Sequence, residues 1–265
     1  VGITHSAAAP GVASTAVATP REDEGLGPGG GASPLDADLF ASHSTFEAER
    51  PAEADEDVHM VAAIVDHIIE RCTAPGDLVI DPFAGFGTTL VRAAALGRRA
   101  FGVELLPERV EHVRRASPAV TVVEGDAREL LRLARATTPT VSDGSAAMIL
   151  TSPPYMTAND HDADPLTAYE RDGSNYERYL TELGLVAAQC ARLVRPGGYV
   201  VWNVADIRHG GSTTPLIADC TRALNRHLAH AGTTEIRWDT YPHDLVADAL
   251  LVFRRASPLA AARSS

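Results

Sequence analysis

Between Leu78 and Val204 five short apolar runs alternate with segments of helical spacing, and that alternation decides the architecture. Leu78 to Ile80, Ala100 to Val103, Val120 to Val123, Ala146 to Leu150 and Tyr199 to Val204 are bounded by turn residues, as buried strands are. Thr88 to Leu96, Pro107 to Ala116, Glu129 to Ala136 and Tyr176 to Val194 read as the helices between them. An earlier helix over 57–72 carries Val61, Ile64, Val65, Ile68 and Ile69 on one face, and Pro75-Gly76 ends it. A last helix is expected over 215–231. Two closing runs, 235–240 and 247–253, are separated by a short turn containing Pro242. They should pair as an antiparallel hairpin, because parallel pairing needs a long crossover. The expected fold is therefore α/β: a doubly wound, mostly parallel seven-stranded sheet with helices on both faces and a terminal antiparallel hairpin.

Residues 1–55 are rich in Ala, Pro and Gly and lack hydrophobic periodicity. Such a segment buries too little apolar surface to offset its ordering entropy, so a disordered acidic tail is expected there, with 43–51 partly ordered against the domain. The folded domain is expected over 56–256, followed by a short disordered tail over 257–265. The loop over 156–174 is polar and acidic, and its length suits a lid or a substrate loop.

Composition narrows the partners. The formal charge is −12 and all 23 basic residues are Arg. Residues 1–55 hold nine acids and two arginines, a net of −7, so the remainder carries about −5. A protein that neutralises many phosphates usually presents a basic face, so the balance argues against tight binding to long duplexes while leaving room for a local Arg-lined groove. No apolar run has the length of a membrane span, and the opening residues have neither a basic n-region nor an apolar h-region. A cytoplasmic protein without membrane contact is the expectation. Cys72, Cys190 and Cys220 are too widely spaced for a disulfide framework or a C-x-x-C zinc site, and no metal is expected.

The first of the five strands runs into Asp81-Pro82-Phe83-Ala84-Gly85-Phe86-Gly87-Thr88-Thr89. Gly85 and Gly87 let the backbone turn sharply and approach a ligand, and the helix that follows offers its N–H groups and dipole. Glu104 ends the second strand, 19 positions after Gly85, where a carboxylate can accept both hydroxyls of a ribose. Asp126, beside Ala127 after the third strand, is placed to accept from an adenine amino group. A nucleoside cofactor fits all three strand ends. The Gly loop and one acid alone suit a nicotinamide dinucleotide equally well.

The fourth strand leaves the sheet in Thr151-Ser152-Pro153-Pro154-Tyr155, at the carboxyl edge where ligands of such folds bind. Two prolines hold the chain extended and remove two N–H donors, so a backbone carbonyl can face a substrate beside the Ser152 hydroxyl. An aromatic amine has its lone pair delocalised into the ring. Two acceptors on its hydrogens draw the nitrogen toward a tetrahedral geometry, an effect that strengthens in the transition state. Tyr155 offers a flat face for stacking. Alone, the tetrapeptide is as well read as a rigid strand exit.

The two motifs together resemble those of the exocyclic-amino DNA methyltransferases, which make N4-methylcytosine or N6-methyladenine, and the likeness covers roughly 57–255. The resemblance implies S-adenosylmethionine (SAM) as cofactor. Asp81, Phe83, Ala84, Gly85, Gly87 and Thr88 would surround its methionine part, Glu104 its ribose, and Asp126 and Ala127 its adenine. It implies that Ser152, Pro153, Pro154 and Tyr155 hold the target amine. Ser at the first position is more like the cytosine-N4 members than the adenine enzymes, which more often carry Asp. The chain departs from the family in having no evident recognition module, and Asp160, Asp162 and Asp164 in the 156–174 loop would repel a duplex backbone. DNA is the favoured partner. RNA, a peptide amide or a small metabolite amine is the alternative, and a non-catalytic SAM sensor a third. His161, His209 and His243 are expected in loops, Trp202 in the core and Trp238 at the hairpin edge. Tyr169 and Tyr176 are expected to pack helix or lid, and the oligomeric state is left open.

Overall fold

A computed structural model describes residues 32–52, 54, 59–158, 164–168 and 175–256. Nine strands and seven α-helices are present among them. The central strands are β2 (Leu78–Asp81), β3 (Arg99–Glu104), β4 (Thr121–Glu124), β5 (Ala146–Thr151) and β6 (Val194–His209). β7 (Ser212–Thr214), β8 (Ala229–Trp238) and β9 (Leu245–Arg254) follow, and β1 (Asp38–Ala41) precedes them all. Their order is β1-β8-β9-β6-β5-β2-β3-β4, with β7 paired to β6 alone. β2 to β6 are mutually parallel where they pair, and β9 runs antiparallel between β6 and β8. The parallel core and the closing hairpin are as the sequence predicts.

Side-chain alternation along the strands splits the core into two layers. Val79, Met148, Leu150, Val201 and Val252 face one way, against α2 (Ala62–Cys72), α3 (Thr88–Ala95) and α4 (Pro107–Ala116). Ile80, Ile149, Val200, Trp202, Leu251 and Phe253 face the other. That second layer is closed by α5 (Leu130–Ala136), α6 (Tyr176–Leu193) and α7 (Leu216–Leu224). Trp202 is fully buried, as expected. α6 starts where Asn175 Oδ1 accepts from the N–H groups of Glu177 and Arg178 at 2.8 and 3.1 Å, satisfying two of the first-turn donors.

Four expectations are corrected. The tail expected over 1–55 is structured from Ser33: β1 pairs in parallel with β8, and α1 (His43–Glu49) follows it. Thr234 Oγ1 donates to the Asp36 carbonyl at 2.7 Å, and the His43 N–H to Asp239 Oδ1 at 2.8 Å. These partners lie about 200 residues away, so local composition could not reveal them. Residues 1–31 and 257–265 lie outside the described residues. Second, the strands number nine among the described residues instead of seven, β1 and the three-residue β7 being the additions. Third, the helix expected from 57 begins at Ala62, whose N–H is taken by the Glu49 carboxylate at 2.7 Å; 55–58 lie outside the described residues. Fourth, the helix expected over 215–231 stops at Leu224, and β8 begins at Ala229, because pairing with β9 claims the segment despite its helical spacing. Of the 156–174 loop, Asp164 caps a short turn over Pro165–Thr167 through the Leu166 N–H at 2.9 Å. Tyr169 and His161 lie outside the described residues.

Candidate active site

The carboxyl ends of β2, β3, β4, β5 and β6 open on one cleft of about 680 Å³. That volume suits a nucleoside cofactor with a small acceptor beside it. Asp81, Phe83, Ala84, Gly85, Thr88, Glu104, Asp126, Ala127, Ser152, Pro153, Pro154 and Tyr155 all line it. Gly87 does not. It caps α3 in a left-handed conformation, φ +86°, and a Cβ there would stand 2.6 Å from a Val113 methyl on α4. Its hydrogen is required by helix packing behind the loop rather than by the cleft.

Two acids shape the loop. Asp81, at the end of β2, is 2 % exposed. Its Oδ1 accepts from the Phe83 N–H at 3.0 Å and from Thr151 Oγ1 at 2.6 Å, tying the β2 exit to the β5 exit. Burial pushes its carboxyl up to about 6 against the lowering effect of these bonds. Glu104 accepts from the Gly85 N–H at 2.7 Å through one oxygen and from the Leu106 N–H at 2.9 Å through the other. Both oxygens keep a lone pair for a further donor. Asp126 is more committed. It caps the turn over Ala127–Glu129 through the Arg128 N–H at 2.7 Å and pairs with the Arg128 guanidinium at 2.6 Å, which also reaches Glu182 at 2.9 Å. Its carboxylate reaches the cleft wall as half of an ion pair.

At the β5 exit, Ser152 Oγ lies 3.3 Å from the Tyr155 hydroxyl, which donates to the Asn203 carbonyl at 3.2 Å. Burial holds the Tyr155 phenol far above its ordinary range, so it stays neutral. The Tyr179 hydroxyl on α6 donates to the Pro154 carbonyl at 2.8 Å. α6 thereby fixes the diproline from behind.

Several lining residues were not singled out from the sequence. Phe46 of α1 stacks on His59 at 4.3 Å between ring centres and meets Trp238 edge-on at 5.6 Å and His243 at 6.5 Å. Trp238 therefore stands in a cleft wall as well as at the hairpin edge. Asp248 of β9 is 4 % exposed and accepts from Asn203 Nδ2 at 2.6 Å and from Trp238 Nε1 at 2.9 Å. At the loop's other side the Arg109 guanidinium lies 5.0 Å over the Phe86 ring, and His112 meets that ring edge-on. Tyr176 packs away from the cleft, its hydroxyl donating to Asp219 at 2.6 Å. No group of metal-ligating side chains stands together among the described residues, and no helix among them is long and apolar enough to cross a membrane.

Solved structures share this fold. TrmN from Thermus thermophilus superposes with a TM-score of 0.52 at 20 % identity, over 74 % of this chain and 49 % of that one. A geranyl diphosphate methyltransferase in complex with SAM superposes with a TM-score of 0.50 at 15 % identity, over 86 % and 98 %. The chain has the fold of SAM-dependent methyltransferases. The methyltransferase fold does not by itself fix the reaction, since the [4+2]-cyclase SpnF also superposes with a TM-score of 0.50 at 14 % identity, over 74 % and 82 %. Sequence adds a narrower likeness. Residues 55–115, which carry the cofactor loop and Glu104, match the N6_N4_Mtase family, described as DNA methylase. YubD of Escherichia coli (strain K12), itself a methylase by assignment only, is 51 % identical over 41 residues, 16 % of this chain and 18 % of that protein. The chain thus spans about half the length of TrmN, and the match to YubD covers under a fifth of it.

Proposed function

We propose that this chain is an N-methyltransferase that moves the methyl group of SAM onto an exocyclic amino nitrogen of a flat heterocycle, in first place a DNA base, cytosine N4 before adenine N6. One observation carries the reading: Ser152-Pro153-Pro154-Tyr155 stands in the same cleft as the β2–α3 loop and Glu104, tied to that loop through Thr151 and Asp81.

The residues present suit the cofactor. Asp81, Glu104 and Asp248 line the cleft, each under a tenth exposed, and none has a cationic side chain in ion-pair contact among the described residues. Buried carboxylates without cations favour a ligand that brings positive charge. SAM supplies a methyl group on a positively charged sulfur. Glu104, aimed by two backbone N–H groups, has lone pairs left for the ribose hydroxyls. The Gly85 backbone and the start of α3 approach the methionine end, with Asp81 fixing the turn. Asp126, paired to Arg128, keeps lone pairs for an adenine amino group.

On the acceptor side Tyr155 offers its ring face to the heterocycle. Tyr179 occupies the Pro154 carbonyl, which leaves the Ser152 hydroxyl and the Pro153 carbonyl to accept from the amine. These two acceptors pull electron density back onto the nitrogen. The packed walls hold acceptor and donor in line, which supplies much of the rate. A base read in this way must leave its stack.

A second reading keeps the chemistry on RNA, a peptide amide or a small metabolite. The described elements all belong to one sheet and its two helix layers, with no separate recognition unit among them, and the chain carries a formal −12. The test is transfer from radiolabelled SAM to plasmid DNA, heat-denatured DNA and total RNA, with Ser152→Ala/Tyr155→Ala as control. Label in DNA that the double variant fails to deposit, released on digestion as a methylated base, supports the first reading. Label confined to RNA, or absent from every polymer, overturns it in favour of the second.

A further inference from the structure

Of the three buried acids in the cleft, two have work in the reading above, and Asp248 has none. It lies on β9, at the acceptor end. Asn203 Nδ2 donates to its Oδ1 at 2.6 Å and Trp238 Nε1 to its Oδ2 at 2.9 Å. A donor on each oxygen favours the anion and offsets part of the cost of burying it. Burial pushes the group up to about 6, which still leaves it ionised at pH 8. Asn203 also connects it to the chemistry: its own carbonyl accepts the Tyr155 hydroxyl, which lies 3.3 Å from Ser152 Oγ. The negative charge therefore sits one residue behind the ring that would stack on the acceptor. Pinning the hairpin to β6 does not by itself call for a charge, since a neutral acceptor can take the same two donors.

Amine methylation moves charge. The nitrogen lone pair forms the N–CH3 bond while the S–CH3 bond breaks with its electron pair going to sulfur. Positive charge leaves the sulfur and builds on the nitrogen, whose proton is then lost to solvent. The Ser152 hydroxyl is neutral and cannot balance that charge. We propose that Asp248 supplies the negative charge that Ser152 lacks, stabilising the acceptor nitrogen as it becomes cationic. The proposal rests on the N-methyltransferase reading and adds to it an electrostatic partner from a strand far from either sequence motif. Asp248 acts at a distance, through its field: the carboxylate is itself buried, and a buried charge is worth far more than one in water.

The test needs no substrate. S-adenosylhomocysteine carries a neutral sulfur, while sinefungin carries an ammonium where the methyl group is transferred. Isothermal titration at pH 8 compares the two ligands on wild type and Asp248→Asn. The amide should bind S-adenosylhomocysteine within about twofold of wild type and lose about tenfold for sinefungin, the size expected of one partly screened charge pair. Adding Ser152→Asp to Asp248→Asn should restore the sinefungin preference. A purely structural Asp248 would weaken both ligands alike, and that result, or an unchanged preference, overturns the proposal. Should the amide not fold by circular dichroism, Asp248→Ser repeats the measurement with a smaller neutral acceptor for Trp238. Wild-type protein that binds neither ligand would overturn the underlying reading and this proposal with it.

Discussion

Glu104 is held by two backbone N–H groups before any ligand arrives, which fixes its direction at no cost to the ligand. Glu104→Gln keeps the shape but turns one acceptor into a donor facing an N–H. SAM affinity by titration should fall about 10- to 100-fold, in line with about 1.5–3 kcal/mol for a charged hydrogen bond, and affinity within twofold of wild type would remove Glu104 from the site. Asp81 and Asp248 carry a second consequence, in stability. Both carboxyls are raised by burial from 3.8 to about 6. Between those values the folded chain binds more protons than the unfolded one, so each contribution is full below about pH 4 and is lost as pH rises through about 6. Each amounts to about 3 kcal/mol. Urea unfolding at pH 4, 5, 6 and 7 checks it: the stability of wild type relative to Asp248→Asn should fall by about that amount across the range. A flat difference would show that Asp248 is not raised. At this scale the motif residues were legible because a strand, a turn and a helix start leave a local pattern. Asp248 was not, although it left a signal: it is the one charge inside the apolar run from Leu245 to Phe253. Phe46 left none, since its partners His59, Trp238 and His243 come from three other segments.

At the scale of elements, the cofactor loop depends on how closely α3 packs between β3 and α4. Gly87 meets Val113 of α4, and a Cβ on Gly102 of β3 would stand 2.5 Å from Leu90 of α3 and 3.0 Å from Ala84. Ala84 lies in the loop itself. Gly102→Ala should therefore cost about 1–3 kcal/mol of stability and weaken SAM binding as well, because the strain is relieved by moving the loop. Unfolding curves and titration read the two effects separately, and a loss of stability with unchanged affinity would show that the loop holds its place. The parallel core and α6 were legible from periodicity and the turn residues between the runs. β1 and the true end of α7 were not, because both are decided by strand partners: β1 by β8, and the residues after Leu224 by β9. Pairing over long sequence separation overrides local preference whenever the segment is short.

For the whole molecule, three cysteines report on both layers. Cys72 of α2 lies in one, Cys190 and Cys220 in the other, and all three are buried free thiols. Burial raises the Cys72 and Cys220 thiols to about 12 and Cys190 further still, so the reactive thiolate is scarce in the folded state. Iodoacetamide should leave all three unlabelled in the native protein and label them together across a single urea transition, read by mass spectrometry. Labelling of Cys72 ahead of the other two would mean that the helices on its face open as a separate unit.

The pairing of β1 with β8 also sets an order of events during synthesis. A ribosome releases Asp38–Ala41 long before it reaches Ala229–Trp238, and until then that strand has no edge to join. The Gly-rich loop and the diproline exit can be assembled while the first strand still waits. Phe46, just beyond it, can reach Trp238 only once the hairpin has formed. The aromatic wall is thus the last part of the cleft to close, and a nascent chain has both sequence motifs in place before the pocket around them is finished.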